Sequence, residues 1–372
     1  MITCWYRHVS MANYALNLKN GLERLGTQVC VVSAPCACQE RLRQTPEMND
    51  VNFRLVSFPP FLNFQTRTSG LSAALLGVQY ILQFLRGISY LGKSKDCDIL
   101  HYQQSAYSFG VMPLASLLII PSTKKRIVTL HSPDFPQLRV RFINRIYRNA
   151  DCVIVHSEGM ARRAIALGIP KEKIRKVFHG ASIPVLRGVV RSEVTFFGSP
   201  QEAKGISTVL QALKALNERK RRVIVHIYGV YSDRERNDTV AKARELGVEG
   251  NLEWGGQVSE EVFDTKMQES VVTLVAYSVP VSGSNVLTRA MANGAPIIAS
   301  RIGGLPEYLG DAGILVQPND SSALADQIVR LIDSRALQEQ LGSAARSRAI
   351  QLFDWQSAAA KTFAIYQEVV PL

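Results

Sequence analysis

Short runs rich in Val and Ile alternate with helix-period segments along the whole chain, and the alternation restarts past its middle. Strand, helix and strand in succession force a crossover, which gives parallel pairing with right-handed connections. In the first half the strand-like runs are 2–6, 28–33, 53–58, 98–102, 126–131, 152–157 and 174–178, with helical patterns at 12–25 and 140–149. On 12–25 the apolar residues Tyr14, Ala15, Leu18, Leu22 and Leu25 share a face, and Gly26 is a helix stop. In the second half the runs are 193–198, 223–228, 251–254, 271–276, 296–299 and 313–316. The helices between and after them are expected at 206–218, 238–246, 259–268, 285–293, 322–334 and 336–351. The expected fold is therefore α/β, with two doubly wound, Rossmann-like domains over 1–182 and 192–352 and a linker containing Pro184 and Gly188. A length of 372 residues suits two such cores better than one. Ligands of open parallel sheets bind beyond the carboxyl ends of the strands, so two domains facing each other across a cleft would hold their site there.

Composition narrows the function. Apolar residues make up 47% and charged residues 20%, a globular balance. Six cysteines (Cys4, Cys30, Cys36, Cys38, Cys97 and Cys152) show no zinc spacing and read as free thiols of a reducing, cytoplasmic compartment. The start, MITCWYR, soon turns polar, so no secretion leader is expected. The apolar stretches 71–85 and 111–120 fall short of the roughly 20 residues of a spanning helix. The net charge of +12 is uneven: residues 1–182 carry +13 and the remainder −1. An anionic partner for the first half follows. No nucleic-acid recognition motif accompanies the charge. The segment 59–86 mixes Phe61, Phe64, Tyr80 and Phe84 with Arg67 and Arg86, which suits an interfacial helix at the inner face of the cell membrane. An ordinary core helix beside a solvated basic face would account for the same residues.

Several segments, in order, resemble glycosyltransferase family 4, whose members have the GT-B fold. They are DCVIVHS at 151–157, LGIPKEKIRKVFHG at 167–180, FGSPQEAKG at 197–205, AMANGAP at 290–296, GGLPE at 303–307 and the closing FDW at 353–355. The resemblance implies an acceptor-binding first domain, a donor-binding second domain, and a last helix, 353–372, that crosses back onto the first. It also implies a hexosyl-type transferase that retains anomeric configuration. The expected partners are a nucleotide-sugar donor and a saccharide or lipid-linked saccharide acceptor. No cofactor and no metal are expected, and Asp96 and Asp98 read as the polar edge of a strand.

Individual residues follow. Gly283, Ser284, Asn285 and Val286 open the helix at 285–293, where free backbone N–H groups and the helix dipole favour a diphosphate; Ser284 and Asn285 equally suit capping. Gly198, Ser199 and Lys204 lie after the strand 193–198, and the resemblance gives Lys204 the diphosphate, where it would stabilise charge growing on the leaving group. His131 ends the strand 126–131, and the resemblance puts it beside the transferred sugar, as a hydrogen-bonding or charge-carrying group. His8, His101, His156 and His226 read as structural, and His179 is open between a backbone role and chemistry. Glu307 either caps backbone N–H groups or accepts from a ribose or sugar hydroxyl.

Four positions depart from the family pattern. Val281 and Arg289 stand where it has two glutamates, Ser199 stands where it has a phosphate-binding Arg, and the loop Val9-Ser10-Met11-Ala12 has no glycine. Arg289 cannot accept from a ribose; it is expected to reach a phosphate in place of the missing Arg, or to pair with Glu307. Two functions remain open at this stage: an active transferase, or a non-catalytic GT-B protein serving as a glycan binder or partner subunit.

Overall fold

The computed structural model describes residues 2–4, 9–29, 31–33, 53–55, 97–104, 124–131 and 149–370. The segment 59–86, nearly all of the expected helix at 140–149, His8, Cys30, Cys36 and Cys38 lie outside the described residues. The chain divides into two compact units, 1–177 with 358–372, and 178–357.

The first unit holds a parallel sheet of seven strands in the order β3-β2-β1-β4-β5-β6-β7. These are β1 Ile2–Cys4, β2 Val31–Ser33, β3 Phe53–Leu55, β4 Ile99–Gln104, β5 Lys125–Leu130, β6 Cys152–Val155 and β7 Ile174–Lys176. Its helices include α1 Val9–Glu23 and α2 Glu158–Ala166. Thus 9–12, taken from the sequence as a loop, are the first turn of α1. Alternate residues of β5 and β6 are buried on both faces, as a sheet covered on two sides requires. Register then fixes what stands level at the carboxyl ends. Gln103 pairs with Thr129, and Thr129 with Ile154, so His131 and His156 emerge side by side two residues further on.

The second unit holds a parallel sheet of six strands in the order β10-β9-β8-β11-β12-β13. They are β8 Glu193–Phe197, β9 Val225–Tyr228, β10 Leu252–Gly256, β11 Ser270–Val275, β12 Ile297–Ser300 and β13 Ile314–Val316. The helices are α3 Ile206–Glu218, α4 Asp233–Glu245, α5 Glu260–Gln268, α6 Asn285–Ala292, α7 Leu305–Leu309, α8 Ser321–Ile332 and α9 Arg335–Leu352. The last helix, α10 Trp355–Val369, starts here, and from Ala358 on it belongs to the first unit. Strand β8 alternates cleanly. Val194 and Phe196 pack with Val209, Leu213, Leu216, Leu324 and Ile328 on one face, while Phe197 packs with Val275, Leu287, Met291 and Tyr308 on the other. Helix α4 begins at Asp233, five residues before the expected 238. Ser232 and Glu235 form a reciprocal capping box that nucleates the extra turn.

Both sheets are the expected doubly wound parallel kind. Strand order reverses between β1 and β4 in one and between β8 and β11 in the other, which marks where each can take a ligand.

Candidate functional site

The second unit's switch point gathers Gly198, Ser199, Lys204 and the segment leading into α6. Three glycines make the close approaches possible. Gly198 follows β8 at φ +105°, and its N–H donates to the Tyr228 carbonyl at 2.7 Å. A Cβ on Gly229 would come within 2.8 Å of Gly198, and one on Gly205 would collide with the Ala276 carbonyl. The loop after β8 is therefore pressed onto the end of β11, and Ser278 N–H donates to the Ala203 carbonyl at 3.2 Å to hold it there. Lys204 ends a 3-10 turn, Glu202–Lys204, and its Nζ rests against Gly198 where a Cβ would otherwise stand. Burial lowers the Lys204 pKa, opposed by the nearby Glu235 carboxylate. Among the described residues no hydrogen-bond or ion-pair partner meets its Nζ.

At Ser199 the hydroxyl donates to Glu235 Oε1 at 2.6 Å. Glu235 also accepts from Gln201 Nε2 at 2.7 Å and from the Ser232 N–H at 2.8 Å. With the Ser199 bond first, these hold the carboxyl down at about 2. The position where the family pattern has a cation thus faces a carboxylate that sequence reasoning overlooked. Its signal was present: Ser232-x-x-Glu235 is the capping-box spacing.

Helix α6 is capped by Ser284, whose Oγ accepts from Leu287 N–H at 3.2 Å and lies 2.9 Å from Tyr277 Oη. Ser284 thus takes the capping role, and the cap leaves the first-turn N–H groups of Asn285 and Val286 outside the helical ladder. Asn285 is exposed and Val286 half-buried. Gly283 packs under Tyr308, where a Cβ would sit 3.0 Å from the phenolic oxygen. Val281 turns its side chain to the apolar core, and its carbonyl accepts from Gly304 N–H at 2.7 Å. Glu307 is half-buried in the first turn of α7, and its backbone carbonyl accepts from Arg348 Nη2 at 2.9 Å.

For Arg289 the structure corrects the expectation from sequence. Its Nε donates to Asp264 Oδ1 at 2.7 Å, Nη2 donates to the Glu260 carbonyl at 2.9 Å, and Nη1 pairs with the Glu260 carboxylate. The guanidinium lies 4.4 Å from the Phe263 ring centre. Glu307 is not among its partners. The charge is neutralised by two acids on α5, so Arg289 clamps α6 to α5 and does not stand in for the cation missing at Ser199.

In the first unit His131 sits in a line of polar groups. Its Nε2 is 2.8 Å from Gln103 Oε1 and its Nδ1 is 3.0 Å from His156 Nε2. The edge of the Tyr14 ring packs 4.7 Å away. Gln103, His156 and His101 are 6%, 2% and 1% exposed. Both ring nitrogens of His131 are thus held by protein, and His101 and His156 are structural in a sense that reaches the candidate site. At His179, the N–H donates to Tyr308 Oη at 3.1 Å, and Gly180 is required because a Cβ would collide with Trp355. Among the described residues no trio of His, Cys, Asp or Glu is placed for a metal, and no helix is long and apolar enough to cross a membrane.

Comparison with known proteins agrees with this geometry. The family described as Glycosyltransferase Family 4 matches residues 11–183, and that described as Glycosyl transferases group 1 matches 191–348. The chain belongs to the GT-B glycosyltransferases. The enzyme is 26% identical over 307 residues to the MMP alpha-(1->4)-mannosyltransferase of Mycolicibacterium hassiacum, covering 75% of this chain and 72% of that one. It is 32% identical over 186 residues to the D-inositol 3-phosphate glycosyltransferase of Corynebacterium aurimucosum, covering 48% and 44%. To the phosphatidyl-myo-inositol mannosyltransferase of Mycobacterium leprae it is 31% identical over 198 residues, covering 51% and 50%. The last two matches thus span half or less of those relatives' length. Two solved structures share the fold across the glycosyltransferase's length. One is a glycosyltransferase from Rickettsia africae ESF-5, with TM-score 0.77 and 17% identity over 100% of this chain and 98% of that one. The other is Anabaena HepE in complex with UDP, with TM-score 0.76 and 16% identity over 99% and 100%.

Proposed function

We propose that this glycosyltransferase takes a nucleoside-diphosphate sugar and transfers the sugar, with retention, to an anionic saccharide or lipid-linked saccharide. The observation that carries the proposal is Lys204: a half-buried ammonium without a described partner, held against Gly198 at the switch point of a doubly wound sheet. Such a cation gains most when a second negative charge arrives, and a diphosphate supplies it. The first-turn N–H groups of Asn285 and Val286 supply neutral donors to the same anion. HepE, which shares the fold, was solved with UDP. Two of the relatives carry a phosphate in the names of their acceptors, which agrees with the +13 charge of residues 1–182.

The chemistry asked of the protein is modest. As the C–O bond to phosphate breaks, negative charge grows on the diphosphate, and Lys204 and the α6 N-terminus stabilise it. The leaving phosphate takes the acceptor's proton on the face it departs from, so the step needs no carboxylate at Val281. The reaction runs without a metal, the lysine and the helix dipole supplying the positive charge. The enzyme works in the cytoplasm, at the inner face of the membrane where a lipid-linked acceptor lies.

The test is release of nucleoside diphosphate from UDP-, GDP- and ADP-sugars, with proton NMR of the product's anomeric coupling. One donor should be consumed, with its anomeric configuration kept and with EDTA having no effect. An inverted product would refute retention, and loss of turnover in EDTA would refute the metal-free scheme.

A further inference from the structure

The polar line through His131 runs from a backbone carbonyl to a phenol, and its donors and acceptors can be assigned from one end. The Val177 carbonyl only accepts, so His156 Nδ1–H donates to it at 2.8 Å. A neutral His156 then accepts at Nε2, and His131 Nδ1–H donates to it at 3.0 Å. On the other side His131 Nε2 meets the Gln103 amide at 2.8 Å. That amide lies 3.3 Å from His101 Nε2, which is 2.7 Å from Thr129 Oγ1, and His101 Nδ1 is 2.6 Å from Tyr366 Oη.

With His156 neutral, two orientations of the Gln103 amide fit these distances. In the first, Gln103 Oε1 faces His131, so the ring donates from both nitrogens and is an imidazolium. The Thr129 hydroxyl then donates to the one lone pair of His101 Nε2 at 2.7 Å, with the Gln103 NH2 3.3 Å away, and His101 Nδ1–H donates to Tyr366 Oη. In the second the amide is reversed. Its NH2 donates to Nε2 of a neutral His131, its oxygen and Thr129 Oγ1 share the His101 Nε2–H, and the Tyr366 hydroxyl donates to His101 Nδ1. In both, every ring nitrogen of the line has a hydrogen-bond partner, so the line can hold either in so dry a place.

We propose that Gln103 is a positioning residue for His131, its amide turning over to let the ring take up or release one proton while the line through His101 to Tyr366 reverses. This rests on the assignment of His131 to the sugar-transfer site. The proton comes from and returns to water, and no other bond changes. Because both ring nitrogens are held by protein, His131 acts through its charge, which the imidazolium carries and the neutral ring does not. Burial pushes the His101 pKa down to about 3, so His101 changes tautomer without charging. The described titratable groups facing the His131 ring are His156, just past β6, and Tyr14 from α1, and burial raises the Tyr14 phenol well above its ordinary range.

The experiment follows the ring nitrogens of 15N-histidine-labelled full-length protein across pH, in wild type, Gln103→Glu and Gln103→Leu. The carboxylate of Gln103→Glu should raise the His131 midpoint by about 1–3 pH units, and Gln103→Leu should lower it. The pH profile of kcat should move with each. In wild type the neutral ring should carry its proton on Nδ1. An identical midpoint in all three proteins, or a neutral ring protonated on Nε2, would overturn the proposal. Midpoints that move while the kcat profile stays fixed would refute the positioning role and the assignment of His131 to sugar transfer together. Nucleotide binding by the same variants keeps the donor site separate: it should persist in both and fail in Lys204→Ala.

Discussion

Replacing Arg289 with alanine separates two accounts of the donor domain. If the guanidinium binds the nucleotide, affinity falls and stability changes little. The structure predicts the reverse. Arg289 and Asp264 side chains are 19% and 25% exposed, so theirs is a part-buried pair, whereas Glu260 at 88% is in water and adds little. Losing one charge-assisted hydrogen bond and the stack on Phe263 should together cost about 3 kcal/mol. For the second unit, residues 178–357, that is a fall in thermal midpoint of about 6–12 °C. Arg289→Lys keeps the charge but not the fork, and should fall in between. Calorimetric unfolding and nucleotide titration on the same samples decide the matter. An unchanged midpoint with lost nucleotide affinity would refute the clamp.

Other outcomes follow from the same geometry. Gly198→Ala must place a Cβ at φ +105° and push Lys204 Nζ aside. Besides backbone strain of about 1–3 kcal/mol, it should weaken nucleotide binding by about tenfold or more, read by titration. Glu235 bears on acid stability. Its carboxyl is held at about 2 against an ordinary 4.5, first by the Ser199 hydroxyl, so folding favours the ionised form. Its contribution is complete above about 4.5 and is lost as pH falls toward about 2. Glu235→Gln should flatten that acid limb of thermal stability, and an unaltered limb would show the carboxylate idle.

The sequence made the architecture readable because strand and helix periods alternate without interruption, and because positions just past β8 and before α6 are where parallel sheets bind ligands. The α6 N-terminus was singled out for that reason, and Lys204 by the resemblance of FGSPQEAKG at 197–205. Arg289 was not, because its partners sit on α5, 25 and 29 residues away, and only packing joins them. The early start of α4 was missed because its polar first turn shows no apolar period, although Ser232 and Glu235 announced it. His156 and Gln103 came to His131 through strand register, a property of pairing that no single strand's sequence carries.

The most direct test of the donor site is calorimetric titration of UDP, GDP and ADP into the wild-type enzyme and Lys204→Ala. The account predicts micromolar binding of one nucleotide by wild type and its loss in the variant. Undiminished binding by Lys204→Ala, or no binding of any nucleotide by wild type, would contradict it.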